Sequence, residues 1–405
     1  MEMVFGIICI GWLPLCILIL GAMALKSPTS FKKYYLLYAL AFGMAAYCYE
    51  PTYEIDLSRY FHQLEYCRTL PFSQALTWAD DGLVVKNLLF WLISKLGDNH
   101  ILPLLSMTTI FGVSTYICVD TVKESDVQPY RILLFQLMLL PFYNTLSNVR
   151  NVVAFALIIL AIYRDLVYKK RNVATILLYI LPCFIHMAGL AMLLIRLALI
   201  IVKKKPYIGL ALTLGIPTAS IALFERVGRV DLPGNLGKIV SRAIWKAYSS
   251  SVNTSNYAVS MRESGYFTAC RFVMFFVCGI LLIMFIKQLR SDATNYRDYK
   301  IFCGIIIAIT MIWIVLGTVK YWVFAFAVVV ASSPILVDFS KEYKQSRKIY
   351  DQLMRISLVI LMLARSALEL YFIRSRIVLS DYFTSALTCS LWVIIGKALL
   401  YLIAI

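Results

Sequence analysis

The sequence predicts an all-α, polytopic integral membrane protein of about 13 transmembrane helices. Three observations lead there. Hydrophobic residues make up 61% of the 405-residue chain, against about 45–50% in a soluble domain, and the mean hydropathy is +0.79. Apolar runs near the ~20 residues that cross ~30 Å of hydrocarbon recur along the chain. Lys and Arg fall in short clusters between those runs, as the positive-inside bias requires. The alternating strands of a β-barrel are not in the pattern.

The same distribution decides what the net charge of +17 means. Basic residues placed between apolar runs read as membrane topology and as attraction for anionic lipid or a lipid phosphate, not as a nucleic-acid surface. The ten cysteines lie mostly within apolar runs and form no CxxC pair, so they read as small buried hydrophobes. With only His62, His100 and His186, no metal site and no cofactor is expected.

The chain reads as a single polytopic domain, 1–405. Its first run, 3–25, is longer than a signal-peptide h-region of about 7–15 residues. It begins with Glu2, and Lys26, Lys32 and Lys33 follow it rather than precede it. It is therefore read as span one, with the N-terminus outside. Span two covers 34–49. The polar stretch 50–82, EPTYEIDLSRYFHQLEYCRTLPFSQALTWADDG, then faces outward as a large extracytoplasmic loop.

Next comes LVVKNLLFWLISKLG, 83–97, which carries Lys86, Asn87 and Lys95. If it crossed the bilayer, Lys169-Lys170-Arg171 and Lys203-Lys204-Lys205 would both fall outside. As an interfacial or re-entrant helix on the outer face it leaves every later basic cluster inside, and it is read so. Further spans are expected at 99–119, 131–147, 149–168, 172–187, 188–202, 207–224, 266–286, 301–317, 319–337, 356–373 and 386–405, with the C-terminus inside.

Two places depart from regular spans. Pro141 and the run Tyr143 to Asn151 predict a tight turn at the outer side. Residues 172–202 lie between two clusters that both belong inside, so they predict a helical hairpin turning near Pro182–Gly189, with His186 at its tip. A second polar stretch, 225–265, is also expected outside. Within it KIVSRAIWKAY, 238–248, reads as an amphipathic helix, and Asn253-Thr254-Ser255 matches a glycosylation sequon.

No phosphate-cradling Gly-rich loop, H-E-x-x-H motif or Ser/His/Asp set is present. The chemistry-bearing groups are ionisable residues at or near the outer boundary: Asp56, Arg59, Arg150, His186, Arg271, Lys320, Arg365, Glu369, Arg374 and Arg376. Charge at membrane depth costs a few kcal/mol or more, which makes each a functional candidate. Arg150 reads either as an anchor to head groups or as a donor to phosphate or a developing oxyanion, since a guanidinium stays charged and pairs two N–H groups with such oxygens. Asp56, Arg59 and Tyr60 share one side if helical: either a solvated ion pair, or a carboxylate for a sugar hydroxyl beside a phosphate-binding Arg and a stacking ring. His186 is either a satisfied turn residue or a catalytic, phosphate-binding one. Arg271 and Lys320 are candidate substrate-binding cations, with snorkelling the plainer role of Lys320. Arg365 and Glu369 read as a structural pair rather than a proton relay, and Arg196 as structural.

Four stretches, in order, resemble the EpsG family, a branch of the Wzy-type bacterial polysaccharide polymerases. Asp56-Leu57-Ser58-Arg59-Tyr60 is similar to the family's D-x-x-R-Y. Asp81-Gly82-Leu83-Val84-Val85-Lys86-Asn87 resembles a segment that in the family begins Glu-Pro and contains L-N. Asn148-Val149-Arg150-Asn151 resembles I-R-Q, and Phe184-Ile185-His186-Met187-Ala188 resembles F-H-x-S-A. Lys320 stands near a late R-x-x-x-Y-F, where Arg is usual. The resemblance runs over roughly 35–340. It implies transfer of a glycan from undecaprenyl diphosphate to a lipid-linked repeat unit at the outer face of the bacterial inner membrane. Asp56, Arg150 and His186 are then the catalytic group, and Arg59, Tyr60, Lys320 and Arg271 bind substrate. It also implies a lipid-linked oligosaccharide as partner, with a flippase and a chain-length regulator alongside. A flippase of the lipid-linked unit and an O-antigen-ligase-like transferase are the competing readings.

Overall fold

The computed structural model describes residues 28–51, 55–122, 132, 136, 139–140, 142–204, 233–251, 264–290, 296–315, 321–338, 349–376 and 391–403. The described residues are helical and contain no strand. The expected spans at 3–25 and 207–224, the sequon at 253–255 and Lys320 lie outside them, as do the side chains of Glu369, Arg374 and Arg376.

In chain order the helices are α1 (Pro28–Tyr47), α2 (Asp56–Thr69), α3 (Val84–Ser94), α4 (Ile101–Thr121), α5 (Phe142–Ser147), α6 (Val149–Leu166), α7 (Val173–Ile180), α8 (Met187–Lys204), α9 (Gly234–Ser251), α10 (Gly265–Arg290), α11 (Arg297–Val315), α12 (Tyr321–Ala331), α13 (Ile349–Arg376) and α14 (Leu391–Ile403). Single 3-10 turns occur at Phe72–Gln74 and Leu181–Phe184. Among the described residues, three helices are both long and apolar enough to cross a bilayer: α4, α10 over Gly265–Leu289, and α11. With its shorter apolar helices and the repeated apolar runs of the sequence, the chain is a membrane protein.

The bundle is centred on α6. Val152, Phe155, Ala156, Ile159, Ile162 and Tyr163 are all fully buried, and a helix apolar all round belongs in the middle of a bundle. α4, α7, α8, α11 and α12 pack around it. α1 lies along α4, and a glycine permits the close approach. A Cβ on Gly43 would sit 2.0 Å from Thr108 Oγ1 and 2.6 Å from the Leu104 carbonyl. Small residues let backbones approach in this way where lipid offers no hydrophobic drive between helices. Beside this contact Phe42 and Phe111 stack with centroids 4.1 Å apart.

Polar ties join the helices of the bundle. At one end of α6, Asp165 accepts from Arg196 Nη2 of α8 at 2.5 Å and from Arg171 Nε at 2.7 Å, and Tyr179 of α7 donates to it at 3.2 Å. Arg196 is thus a structural partner of Asp165. Tyr163 donates to Asp120 at 2.7 Å, joining α6 to α4. Gln136 bonds both Ser114, at 2.5 Å, and Ser333.

Residues 172–202 turn as two helices. α7 runs into the 3-10 turn at Leu181–Phe184, and α8 starts after His186. Asn172 starts α7, its side chain accepting the Thr175 amide at 3.1 Å. At the turn, Gly189 is pressed against the Pro182 backbone, where a Cβ would lie 2.6 Å from the carbonyl oxygen.

Candidate functional site

The other end of α6 carries Arg150, and there the two polar stretches of the sequence meet. The first stretch is largely helix rather than open loop. In α2 the buried residues Leu57, Tyr60, Leu64 and Cys67 recur at helical spacing, so one stripe docks while the charged face remains wet. Asp56 sits in the first turn and Arg68 in the last, each where the helix dipole favours its charge.

α3 docks on α2. Lys95 Nζ donates to the carbonyls of Arg68 at 2.8 Å and Leu70 at 3.2 Å, and Trp91 Nε1 donates to Leu70 at 3.0 Å. At 11 residues, α3 is only roughly 16 Å long at 1.5 Å per residue. That is about half the thickness of the hydrocarbon layer. Its polar residues do not reach for solvent: Lys86 and Asn87 are buried.

Lys86 is buried against a carboxylate. It bonds Asp81, whose other oxygen accepts the Leu83 amide at 3.0 Å at the start of α3. Arg242 of α9 reaches the same carboxylate at 3.4 Å, and Lys238 pairs with the neighbouring Asp80. The backbone makes room for this joint at Gly82, where φ is +73° and a Cβ would lie 2.4 Å from the Asn235 carbonyl. Only glycine accepts both constraints.

Both members of the pair are shifted downward, for different reasons. Burial acts to raise the Asp81 carboxyl, but Lys86, the Leu83 amide and Arg242 outweigh it and hold it below its usual value. Burial pushes the Lys86 ammonium down to about 8; Asp81 opposes this, while Arg150 and Arg242 add to it. An excess of cations favours the carboxylate and disfavours one more ammonium.

Arg150 stacks on Tyr60. Its guanidinium carbon lies 4.4 Å from the centre of the ring, within the range of a cation–π contact. Tyr60 is 1% exposed and sits edge-on to Phe90 of α3, with centroids 6.0 Å apart. Arg59 lies 5.6 Å from the same ring and pairs with Asp56 at 3.3 Å. The expected grouping of Asp56, Arg59, Tyr60 and Arg150 is therefore one cluster. Trp78 flanks it, with Lys86 Nζ 4.9 Å from its ring.

His186 is buried. Its Nδ1 accepts the Ala188 amide at 3.1 Å, so the neutral ring carries its proton on Nε2. The 3-10 turn leading to it packs against both α3 and α6, which brings the turn to the helices that carry Lys86 and Arg150.

Two further candidates lie on α10 and α13. Arg271 of α10 donates to the Ile314 carbonyl at 2.8 Å, where a cation satisfies the C-terminal end of α11. Arg365 is buried in α13, its Nη1 3.4 Å from Cys270 Sγ. Among the described residues, no group of His, Cys, Asp and Glu is arranged to hold a metal.

Several buried polar atoms here lack a hydrogen-bond partner: Asn87 Oδ1, Thr145 Oγ1, Arg150 Nε and Asn151 Oδ1, together with Gln63 Oε1 of α2. Burying such atoms unpaired costs about 1–3 kcal/mol each. Thr145, Arg150 and Asn151 of this group follow one another closely along the chain where α5 runs into α6.

The EpsG family model matches residues 35–373, most of the chain. The chain belongs to the EpsG family. Members of the EpsG family are Wzy-type polysaccharide polymerases, so this EpsG protein falls among the membrane-embedded, glycosyltransferase-like enzymes that build polysaccharide from lipid-linked substrates. Comparison with curated proteins and with solved structures returned no match. The matched region contains the whole Arg150 cluster, from Asp56 to Arg242.

Sequence reasoning did not foresee three contacts of this cluster: the ion pair of Asp81 with Lys86, the reach of Arg242 to it, and the approach of Lys86 to the Trp78 ring. The first had a local signal, a lysine inside an apolar helix five residues after an aspartate. Arg242 had none, because its partner is far away in sequence.

Proposed function

We propose that this EpsG protein transfers a growing glycan from undecaprenyl diphosphate to a lipid-linked repeat unit at the outer face of the bacterial inner membrane. In this reading the chain crosses the membrane about 13 times, with its N-terminus outside and its C-terminus inside. The two polar stretches then share the outer face. The observation that carries the reading is Arg150: a guanidinium stacked on a buried tyrosine, with a buried Nε that has no acceptor.

The acceptor hydroxyl oxygen attacks the anomeric carbon of the donor sugar. The bond from that carbon to the diphosphate oxygen breaks, and undecaprenyl diphosphate departs with the electron pair. The hydroxyl proton passes to the Asp56 carboxylate, acting as general base. Arg150, with Arg59 or His186, neutralises the charge that develops on the diphosphate, a form of electrostatic stabilisation often worth several kcal/mol. Tyr60 holds Arg150 in place; at 1% exposed, its ring is too buried for the sugar stacking expected of it. The donor is already activated by its diphosphate, so no nucleotide sugar is needed.

The test is the surface-glycan profile of a strain lacking the protein, beside one carrying Arg150→Ala. Single repeat units that reach the surface without long polymer, in both strains, support the polymerase reading. Repeat units trapped on the inner face identify a flippase instead. A normal polymer in the Arg150→Ala strain removes Arg150 from the reaction.

A further inference from the structure

The cations at this site outnumber the carboxylate that joins them. Lys86 and Arg242 share Asp81. Arg150 has no carboxylate partner among the described residues, yet lies near enough to repel the Lys86 ammonium, as Arg242 also does. Lys86 and Arg242 thus share the single carboxylate of Asp81, with Arg150 close by on Tyr60, so the three cations carry two positive charges that Asp81 does not compensate. Gathering like charges around a buried lysine is costly unless an anion joins them.

The three cations differ in what they offer. Lys86 is a buried point charge fixed by Asp81 and Trp78. Arg150 and Arg242 are guanidiniums, each able to pair with two phosphoryl oxygens. They come from different elements: Arg150 from α6, held by Tyr60, and Arg242 from α9, half exposed and held at Asp81. The close contact of Gly82 with Asn235 fixes α9 against the start of α3, so Arg242 is presented by a docked helix.

We propose that Lys86 and Arg242 complete, with Arg150, a subsite selective for a diphosphate over a single phosphate. One guanidinium takes each phosphoryl group, and Lys86 stands between them. Two uncompensated charges match the two negative charges of a diphosphate diester. This proposal rests on the lipid-diphosphate reading of the site, and it gives the second polar stretch a role: it delivers Arg242. Arg242 is a binding and positioning residue here, with no part in bond breaking.

The test measures binding of farnesyl diphosphate, farnesyl monophosphate and inorganic diphosphate to the full-length protein in detergent. The wild-type protein is expected to prefer farnesyl diphosphate over the monophosphate by about tenfold. Arg242→Gln brings that ratio close to one while monophosphate binding stays as it was; Arg150→Ala weakens both. Arg242 is half exposed, so its replacement leaves the fold in place. The double variant Asp81→Asn/Lys86→Met, which removes the buried pair and leaves only the half-exposed Arg242 without its carboxylate, also lowers the ratio. Inorganic diphosphate binding as tightly as the prenyl ester still supports the subsite and assigns it a soluble ligand.

An unchanged ratio in both variants overturns the proposal and leaves the Asp81 cluster as a joint between two polar segments. That outcome is separate from failure of the polymerase reading. A normal polymer in the Arg150→Ala strain sinks the reaction whatever the binding ratio, and an unchanged ratio sinks the subsite whatever the polymer.

Discussion

Arg150 lies over the ring of Tyr60 with its guanidinium carbon 4.4 Å from the ring centre, and the ring itself is 1% exposed. A buried aromatic face fixes the guanidinium plane without using its N–H groups, which stay available to a ligand. The two residues are distant in sequence, and α2 and α5 bring them together by packing against one another.

Tyr60→Leu removes that platform and Tyr60→Phe keeps it. A cation–π contact contributes about 0.5–2 kcal/mol. Glycan transfer with lipid-linked substrate is therefore expected to fall about tenfold in Tyr60→Leu and to stay near the wild-type rate in Tyr60→Phe. Equal losses in both variants point to the phenol hydroxyl instead, and no loss in either removes the ring from the site.

The Asp81–Lys86 pair makes a stability prediction. Both side chains are buried. Breaking a buried pair from one side costs about 3–5 kcal/mol, because the remaining charge is stranded, whereas replacing both partners is often neutral. Asp81→Asn should lower the thermal midpoint in detergent by several degrees, and Asp81→Asn/Lys86→Met should recover most of it. If the single and double variants unfold together, the pair is not what holds the start of α3.

How far the sequence revealed this arrangement depends on the range of the contact. Local patterns were legible. The apolar runs at 99–119, 266–286 and 301–317 match α4, α10 and α11 closely, and the hairpin at 172–202 turns at the Pro182–Gly189 segment. Asp56, Arg59 and Tyr60 were readable as one face because helical spacing is local. The polar stretch 50–82, in contrast, reads as loop by composition and folds as α2 with a 3-10 turn. Its apolar positions are few and pay off only against α3. Lys86 reads as an interfacial lysine, yet it is buried, because Asp81 supplies the opposite charge at the start of α3, and Arg242 reaches that carboxylate from a helix distant in sequence. Arg271, expected as a substrate-binding cation, also donates to the Ile314 carbonyl, a partner set by packing that no local pattern contains.

A pH prediction concerns a second polar cluster, before α4. Asp98 accepts from Tyr47 at 2.5 Å, and His100 contacts Asp98 at 3.1 Å and Glu50 at 2.9 Å. Phe61 covers the imidazole. Burial acts against the charged forms. The bonds from His100 and Tyr47 outweigh it and pull Asp98 down to about 2, while Asp98 and Glu50 raise His100 above its usual value. The raised His100 adds stability that is complete below its unfolded value of about 6.5 and is lost as pH rises through its folded value. The lowered Asp98 adds stability that is complete above about 3.9 and is lost as pH falls towards 2. The thermal midpoint should therefore drop on the alkaline side, and His100→Gln should flatten that drop. An identical slope in the variant assigns the drop to other groups.

Arg196 separates structure from reaction. It holds Asp165, at the far end of α6 from Arg150, roughly 22 Å away at 1.5 Å per residue. Arg196→Met leaves Asp165 with Arg171 and Tyr179, a loss of about 1.5–3 kcal/mol for one charged hydrogen-bonded partner. The protein level in the membrane should fall while polymer length per molecule stays normal. Arg150→Ala should do the reverse. A short polymer at normal Arg196→Met protein level would show that the two ends of α6 are coupled.

Gly189 sets the position of His186. A Cβ there would lie 2.6 Å from the Pro182 carbonyl oxygen, 2.7 Å from its carbon and 2.9 Å from the Cys183 nitrogen. All three are backbone atoms, so no side chain can swing aside, and the turn must move. The turn packs on α3 and α6, and the His186 ring is tied to the Ala188 amide. Gly189→Ala should therefore shift His186 relative to Arg150 by a fraction of an ångström to an ångström. A displacement of that size can cost about 10²-fold in rate when the group acts on substrate. The decisive comparison is Gly189→Ala with His186→Ala, each at matched protein level. Similar losses of transfer, with the double variant no worse than either, place both effects at the imidazole. Full activity in His186→Ala with loss in Gly189→Ala makes the turn a support for α3 and α6, and the imidazole a bystander.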